Sequence, residues 1–152
     1  MPSSSFNEAY RTHEFAVEIE GITYNITKVT GLGEGEIEAI EQPDGGANIT
    51  HKISSGIIKY GDLTLERNMD GSKDDSEFKE WFQKMFTMDG TGTGSMMRRN
   101  GSIIVLEHQK EVMRFAFEGA WIKSSKFSDL DASTSGLLKQ TIVLAVERMY
   151  RV

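Results

Sequence analysis

The stretch VTGLGEGEIEAIEQPDGGANITHKISSGIIKYGDLTLER, residues 29–67, carries the pattern that decides the fold. Its middle, residues 35–58, holds two extended runs on either side of the segment QPDGG, residues 42–46. Apolar and polar residues alternate with a period of two in both runs, which is the pattern of a β-strand. Pro, Asp and Gly between two such runs are typical of a hairpin turn. The stretch therefore predicts an extended β-hairpin over about residues 34–58.

This hairpin has few apolar residues on either strand. The first run alternates Glu36 and Glu38 with Ile37, and the second places Ile49 and Ile53 among polar neighbours. A two-stranded hairpin with so little apolar surface is marginal in water by itself. We therefore expect it to lie over its own domain or to reach a neighbouring subunit.

Length and composition narrow the classes of protein. The chain has 152 residues, which predicts a single domain over residues 1–152 with a core of its own. Its 17 Lys and Arg against 23 Asp and Glu give a net charge of −6, which argues against binding to a phosphate backbone. It has no cysteine, so disulfides and thiolate metal sites are excluded. Residues 1–13 are polar and are expected to form an N-terminal arm.

No signal-peptide pattern opens the sequence, and no apolar run is long enough to cross a bilayer. We therefore expect synthesis and folding in the cytoplasm, without insertion into a membrane.

The rest of the chain alternates with the same period. Residues 15–19 and 22–26 predict an antiparallel pair that turns at Gly21, and residues 102–108 and 112–121 predict another. Residues 138–150 predict one long final strand with apolar residues on both faces, buried by the domain on one side and by a further surface on the other. The count is about eight strands with short connections, which predicts an antiparallel barrel or sandwich.

One amphipathic helix interrupts the strands. Apolar residues recur at i, i+3, i+4, i+7 and i+8 over about residues 75–86, and they are Phe78, Trp81, Phe82, Met85 and Phe86. Asp74 precedes Glu77 by the spacing of a capping box, which predicts the start of the helix. We expect the aromatic stripe to cover the core of the sheet, because one fully buried Phe stabilises a fold by roughly 1.5–3 kcal/mol.

No motif in the sequence predicts catalysis, a cofactor or a metal. The glycine-rich residues 90–94 lack the Lys-Ser/Thr ending of a phosphate loop. Acidic residues around Asp70 alternate like calcium ligands, but no Glu closes the loop, which favours a turn. The three histidines lack metal-site spacing. Glu36 and Glu38 share a strand face without a nucleophile or acid partner, which favours a solvated or partner-facing acidic stripe.

An ordered set of motifs resembles the inner-tube proteins of contractile tails: phage tail tubes, pyocin-like particles and extracellular contractile injection systems, with the type VI secretion tube protein as a more distant relative. The set comprises residues 29–32 (VTGL), the acidic strand at 36–38, the Gly-Gly turn at 45–46, 59–67 (KYGDLTLER), the helix, 99–103 (RNGSI), 117–123 (FEGAWIK) and 128–132 (SDLDA). It covers nearly the whole chain.

The resemblance implies a structural subunit and not an enzyme. Such subunits form hexameric rings that stack into a hollow tube, inside a sheath and between a spike or baseplate and tube-terminating proteins, with DNA or effector cargo in the lumen. Residues expected at contacts between subunits or rings are Glu36, Ile37, Glu38, Ile40, Ile49, His51, Ile53, Ile57, Arg98 and Arg99. The two arginines are included because a basic patch complements an acidic hairpin.

Two other classes stay open from the sequence. A small-ligand or glycan-binding β-barrel would have the same strand pattern, but it would be a monomer or dimer with a lined cavity. A hydrolase would need a convergent set of polar residues, which the sequence does not indicate.

Overall fold

The computed structural model describes residues 8–44, 46, 49–84 and 98–152. In this part of the chain, ten β-strands and one α-helix form. In chain order they are β1 (Phe15–Ile19), β2 (Ile22–Tyr24), β3 (Lys28–Thr30), β4 (Glu36–Asp44), β5 (Ile49–Lys59), β6 (Leu63–Asn68), α1 (Lys73–Lys84), β7 (Arg99–Glu107), β8 (Lys110–Phe127), β9 (Lys139–Ala145) and β10 (Arg148–Arg151). The prediction of a mainly β protein with a short helix is confirmed.

Eight strands form one antiparallel sheet in the order β2-β1-β7-β8-β9-β6-β3, with β10 also paired to β8. The long strand β8 connects the two parts of this sheet, because its first half pairs with β7 and its end pairs with β9. Between the halves, Gly119 has a φ of 64° and the register shifts between Ile122 and Ser124. The edge strands β2 and β3 each pair on one side only, so the sheet is sandwich-like and not a closed barrel.

The core lies between the two parts of the sheet and is continuous with one face of α1. Alternate side chains of the strands point into it, as their period of two requires. Its fully buried strand residues are Val17, Ile19, Leu63, Leu65, Ile103, Phe117, Ala120, Ile122, Ile142 and Leu144.

The final strand is not continuous, and this part of the prediction was wrong. Residues 146–147 interrupt it, and β9 and β10 flank the interruption. The interruption faces the bend in β8, where a Cβ on Gly119 would lie 2.7 Å from a carboxylate oxygen of Glu147. The strand therefore breaks where its partner changes direction.

The predicted capping box is also wrong. The helix begins at Lys73, so Asp74 already lies in its first turn. The Asp74 Oδ2 atom accepts a hydrogen bond from the Asn25 backbone N–H at 3.0 Å, and Glu77 accepts one from the Tyr24 hydroxyl. Both carboxylates therefore bind the end of β2 and do not cap the helix, although acidic side chains in this turn still favour the helix dipole.

Candidate functional site

The predicted hairpin forms, and it stands apart from the main sheet. Strands β4 and β5 pair with each other as a separate two-stranded sheet. The register joins Ile37 with Ile58 and Ile40 with Ile53, with a shift between Ile37 and Ala39. The extra residues of β5 turn at Gly56, whose φ is 76°. A bulge of this kind bends and twists the strand pair.

Five isoleucines of this hairpin are exposed. Half or more of most of these side chains is open to solvent: Ile37 58%, Ile57 55%, Ile58 53%, Ile40 50% and Ile53 45%. None of the five belongs to the hydrophobic core or packs against it. Large exposed apolar patches are typical of interaction sites, so these isoleucines make the hairpin a candidate contact surface.

The base of the hairpin is fixed to the domain by close packing and by ion pairs. Gly35 has a φ of 105°, and a Cβ there would lie 3.0 Å from atoms of Ile58 and Tyr60. Glu34 pairs with Arg151 at 3.1 Å, with both side chains more than half exposed. Exposed pairs of this kind stabilise by at most about 1 kcal/mol, so they orient the hairpin more than they stabilise it.

The charged residues predicted at contacts lie on the same two strands. Glu36 and His51 are exposed, and Glu38 forms an exposed ion pair with Lys59 at 3.6 Å. Ile49 pairs in register with Asp44, next to the turn. The structure therefore brings the eight hairpin residues of the predicted contact set onto one element.

Arg98 and Arg99 are placed elsewhere, at the start of β7. Arg98 forms an ion pair with Glu147, beside the junction of β9 and β10. The Arg99 guanidinium lies 4.8 Å from the centroid of the Trp81 ring, an arrangement that favours a cation–π interaction. Both arginines thus bind groups of their own chain, and their role at a subunit contact stays a prediction.

The aromatic stripe of α1 packs on the core of the domain. Phe78 and Trp81 are 2% and 1% exposed, and Phe82 packs against the core while remaining half-buried. The Phe78 ring centroid lies 4.9 Å from that of Tyr24. Met85 and Phe86, the last two residues of the predicted stripe, lie outside the described residues.

A buried polar network beside α1 was missed by the sequence reasoning. Arg67 is 1% exposed, and its guanidinium donates to the Asp75 carboxylate and, at 2.9 Å, to Gln140 Oε1. Gln140 in turn donates to Ser125 Oγ at 2.8 Å. A signal was present, because Arg67 continues the inward alternation of Leu63 and Leu65. The network joins β6, β8, β9 and α1.

The turn before α1, considered above as a calcium loop, is a hydrogen-bonded turn. The Asp70 carboxylate accepts a hydrogen bond from the Ser72 backbone N–H at 3.0 Å. The Ser72 hydroxyl, and with it this backbone N–H, holds the pKa of Asp70 below its usual range. Among the described residues, no three His, Asp or Glu side chains cluster so that they could hold a metal ion. No helix in the described part of the chain is long and apolar enough to span a membrane.

An apolar cavity of about 450 Å³ opens between β3, the β1–β7–β8 part of the sheet and the segment before β1, of which Tyr10, Arg11, Thr12 and Glu14 line it. Its apolar walls are Phe15, Val29, Leu32, Ile103, Val105 and Met113. A cavity of this kind is the feature that a small-ligand binding protein would require.

Known proteins resemble the chain over almost its full length. Residues 11–150 match the family described as T4-like virus tail tube protein gp19. No curated protein sequence matches the chain. Among solved structures, a chain of the sheath–tube complex of an extracellular contractile injection system, PVC, in the extended state is 18% identical, with 95% of this chain and 91% of that chain covered and a TM-score of 0.78.

Two further structures extend the likeness. A chain in the tube-terminating cap of the anti-feeding prophage is 17% identical, covers 100% of this chain and 99% of its own, and gives a TM-score of 0.82. Hcp1 from Flavobacterium johnsoniae is 16% identical over 90% of this chain and 93% of its own, with a TM-score of 0.54. The chain belongs to the T4-like tail tube family. It is a tail tube protein, and therefore a structural protein and not an enzyme.

Proposed function

We propose that this tail tube protein forms hexameric rings that stack into the hollow inner tube of its particle, the conduit for DNA or effector proteins through a target envelope. The observation that carries the proposal is the β4–β5 hairpin, which pairs only with itself and exposes five isoleucines. Six copies in a ring are what the family resemblance implies. The hairpin is the element that joins one ring to the next.

The hairpin's energetics support this role. Burying a whole isoleucine side chain stabilises by roughly 1.5–3 kcal/mol, so covering the exposed half of one gives about 1 kcal/mol. Five such side chains on one element represent about 5 kcal/mol before the cost of association. The strands also carry unpaired outer edges, because β4 and β5 have no other strand partner in the described residues. A neighbouring subunit would supply both the apolar cover and the missing hydrogen bonds.

The proposed partners are a sheath around the tube, a spike or baseplate at one end and a terminating protein at the other. Two observations support the sheath and the terminating protein. The matching PVC chain comes from a sheath–tube complex, and the matching anti-feeding prophage chain comes from a tube-terminating cap. The contact residues proposed on the hairpin are Glu36, Ile37, Glu38, Ile40, Ile49, His51, Ile53 and Ile57.

Negative-stain electron microscopy of the purified protein tests the proposed assembly. We expect rings with a central hole, and short stacks at high concentration. A protein that stays monomeric at all concentrations and binds an apolar ligand in its cavity would support the competing ligand-binding class.

A deletion of residues 41–48 tests the hairpin. We expect the shortened protein to keep the melting temperature of its core, because the residues of this segment that the structure describes contribute no core side chain. We also expect it to form rings without stacks. Tubes at the wild-type yield would contradict the role of the hairpin.

A matched pair of substitutions sharpens this test. Ile40→Ser removes one side of a cross-strand pair on the hairpin, whereas Ile22→Ser changes a similarly exposed isoleucine on β2. We expect only the hairpin variant to reduce stacking. An equal loss from both substitutions would indicate a general effect of surface hydrophobicity.

A further inference from the structure

The loop between β8 and β9, residues 128–138, has a fixed shape. Its ends are closed by the Ser128 backbone N–H, which donates to the Lys139 carbonyl at 2.9 Å, and by the Lys139 N–H, which donates to Ser128 Oγ at 3.0 Å. Its middle turns on Asp131, whose carboxylate accepts from the Ser133 N–H and hydroxyl at 2.9 and 2.7 Å. These bonds order the loop without help from the core.

Large apolar side chains nevertheless point away from the protein on this loop. Leu130 is 86% exposed and Leu137 is 70% exposed. Acidic residues, Asp129 and Asp131, flank Leu130 in the sequence. A single exposed leucine carries little information, but two on a hydrogen-bonded loop make a preformed surface that loses little entropy when it binds.

The apolar cavity beside β3 has properties that complement the exposed leucines and the acidic residues of this loop. An internal cavity of about 150 Å³ is enough to hold benzene, so 450 Å³ leaves room for leucine side chains. Three ionic side chains line it. Arg11 is paired with Glu8 at 2.9 Å, and Glu14 accepts from the Gln109 N–H at 2.8 Å. Lys28, exposed on the edge strand β3, is the remaining charge at the rim.

We propose that Leu130 of one copy of this chain inserts into the β3 cavity of the next copy, with Asp129 facing Lys28. The inference rests on the proposed tube function and names a contact within the ring. No residue of the loop lines the cavity, so the two surfaces are different patches of the same chain. A contact between two different patches is head-to-tail, and it closes a ring when the rotation between copies allows.

The absence of native cysteine makes the contact testable by disulfide trapping. Leu130→Cys and Met113→Cys proteins are purified separately, mixed, assembled and oxidised. We expect a disulfide-linked dimer that needs both variants, and a ladder up to the hexamer from the double variant. The matched control is Ile22→Cys mixed with Met113→Cys, which places an exposed cysteine outside both surfaces and is expected to give at least tenfold less dimer.

Charge reversal gives a second readout. Asp129→Lys and Lys28→Asp each place like charges at the proposed contact, and each is expected to raise the concentration needed for ring formation about tenfold. The combined variant restores the opposite charges and is expected to recover most of that loss. Circular dichroism of each variant confirms that the fold is retained.

The outcomes separate the two proposals. The docking contact is overturned if Leu130→Asp forms rings normally and the mixture of Leu130→Cys with Met113→Cys gives no dimer above the control level. The proposed tube function would still stand in that case. A wild-type protein that never forms rings overturns both. An intramolecular disulfide between Phe6→Cys and Met113→Cys would place the chain's own N-terminal segment in the cavity, and it would also overturn the contact.

Discussion

The buried Arg67–Asp75 pair gives a prediction whose size follows from the structure. Arg67 is 1% exposed, and the Asp75 side chain is 18% exposed. Asp75→Ala leaves the guanidinium in the core with the Gln140 oxygen at 2.9 Å and the exposed Asp70 carboxylate at 3.7 Å. Breaking a buried ion pair on one side costs about 3–5 kcal/mol. The guanidinium also keeps the Met69 sulfur at 3.3 Å and the Phe78 ring at 5.6 Å. Because these weaker partners remain, we expect the lower end, a loss of about 3 kcal/mol in the free energy of unfolding.

Urea unfolding followed by tryptophan fluorescence measures this loss, since Trp81 of α1 is buried in the core. The measurement is made at concentrations where the midpoint does not depend on protein concentration, so that assembly does not contribute. For a chain of this length, 3 kcal/mol corresponds to a fall of about 6–12 °C in Tm. Asp70→Ala is the control, and it is expected to lower the free energy of unfolding much less than Asp75→Ala because the Asp70 carboxylate is exposed.

A double variant decides whether the cost arises from an uncompensated charge. Replacing both members of a buried pair by apolar residues is often neutral, so Arg67→Met with Asp75→Leu is expected to be more stable than Asp75→Ala alone. The reasoning is refuted if Asp75→Ala loses less than about 1 kcal/mol, or if the double variant is as unstable as the single one.

Three further predictions concern other parts of the fold. Trp81→Ala is expected to lower the free energy of unfolding by about 3–5 kcal/mol. Glu80→Ala, on the exposed side of α1, is the control and changes it by less than about 0.5 kcal/mol. Equal melting temperatures for the two variants would show that the helix does not cover the core. Burial and the hydrogen bond to a carboxylate raise the pKa of Tyr24 above its usual range. The contribution of Tyr24 to stability is therefore retained below about pH 10 and falls as the pH rises beyond the unfolded-state pKa. Tyr24→Phe should flatten the profile of unfolding free energy between about pH 9 and 11, and an unchanged slope would contradict this assignment. Gly31→Ala would place a Cβ 2.3 Å from the Asp62 backbone oxygen at a φ of 96°, so it is expected to unfold or strongly destabilise the chain. Gly33→Ala is the control and should be tolerated, because a Cβ there meets open space. Similar thermal melts for both variants would argue against the close approach at Gly31.

The spacing of apolar residues in the sequence was enough to predict the hairpin and the helix. The alternation around Ile37 and Ile53 and the helical spacing of Phe78 and Trp81 identified the hairpin and the helix, because side-chain direction depends on a strand or helix period alone. The acidic pair at the start of α1, Asp74 and Glu77, was misread for the complementary reason. Its spacing is that of a capping box, but the partners of the two carboxylates lie on β2, about fifty residues away in sequence.

The Arg67 network was predictable from the sequence in part. That Arg67 points inward follows from Leu63 and Leu65, so a buried charge was predictable. That Asp75 and Gln140 neutralise and bind it depends on how the helix and β9 pack against β6, which one sequence does not reveal. The same limit applies to the break between β9 and β10, which follows from a bend in the neighbouring strand.

The division between a fixed domain and a separate hairpin has a consequence for the order of assembly, if the proposed function holds. In the part of the chain that the structure describes, no hairpin side chain belongs to the core or to the Arg67 network. If one hairpin contributes about 2 kcal/mol after the cost of ordering, a contact between two single subunits has a dissociation constant of tens of millimolar and does not persist. Six hairpins on a closed ring act together, and about 12 kcal/mol corresponds to the nanomolar range. Stacking therefore requires a ring, so ring closure precedes tube growth, and a subunit that cannot close a ring is excluded from the tube even though its hairpin is intact.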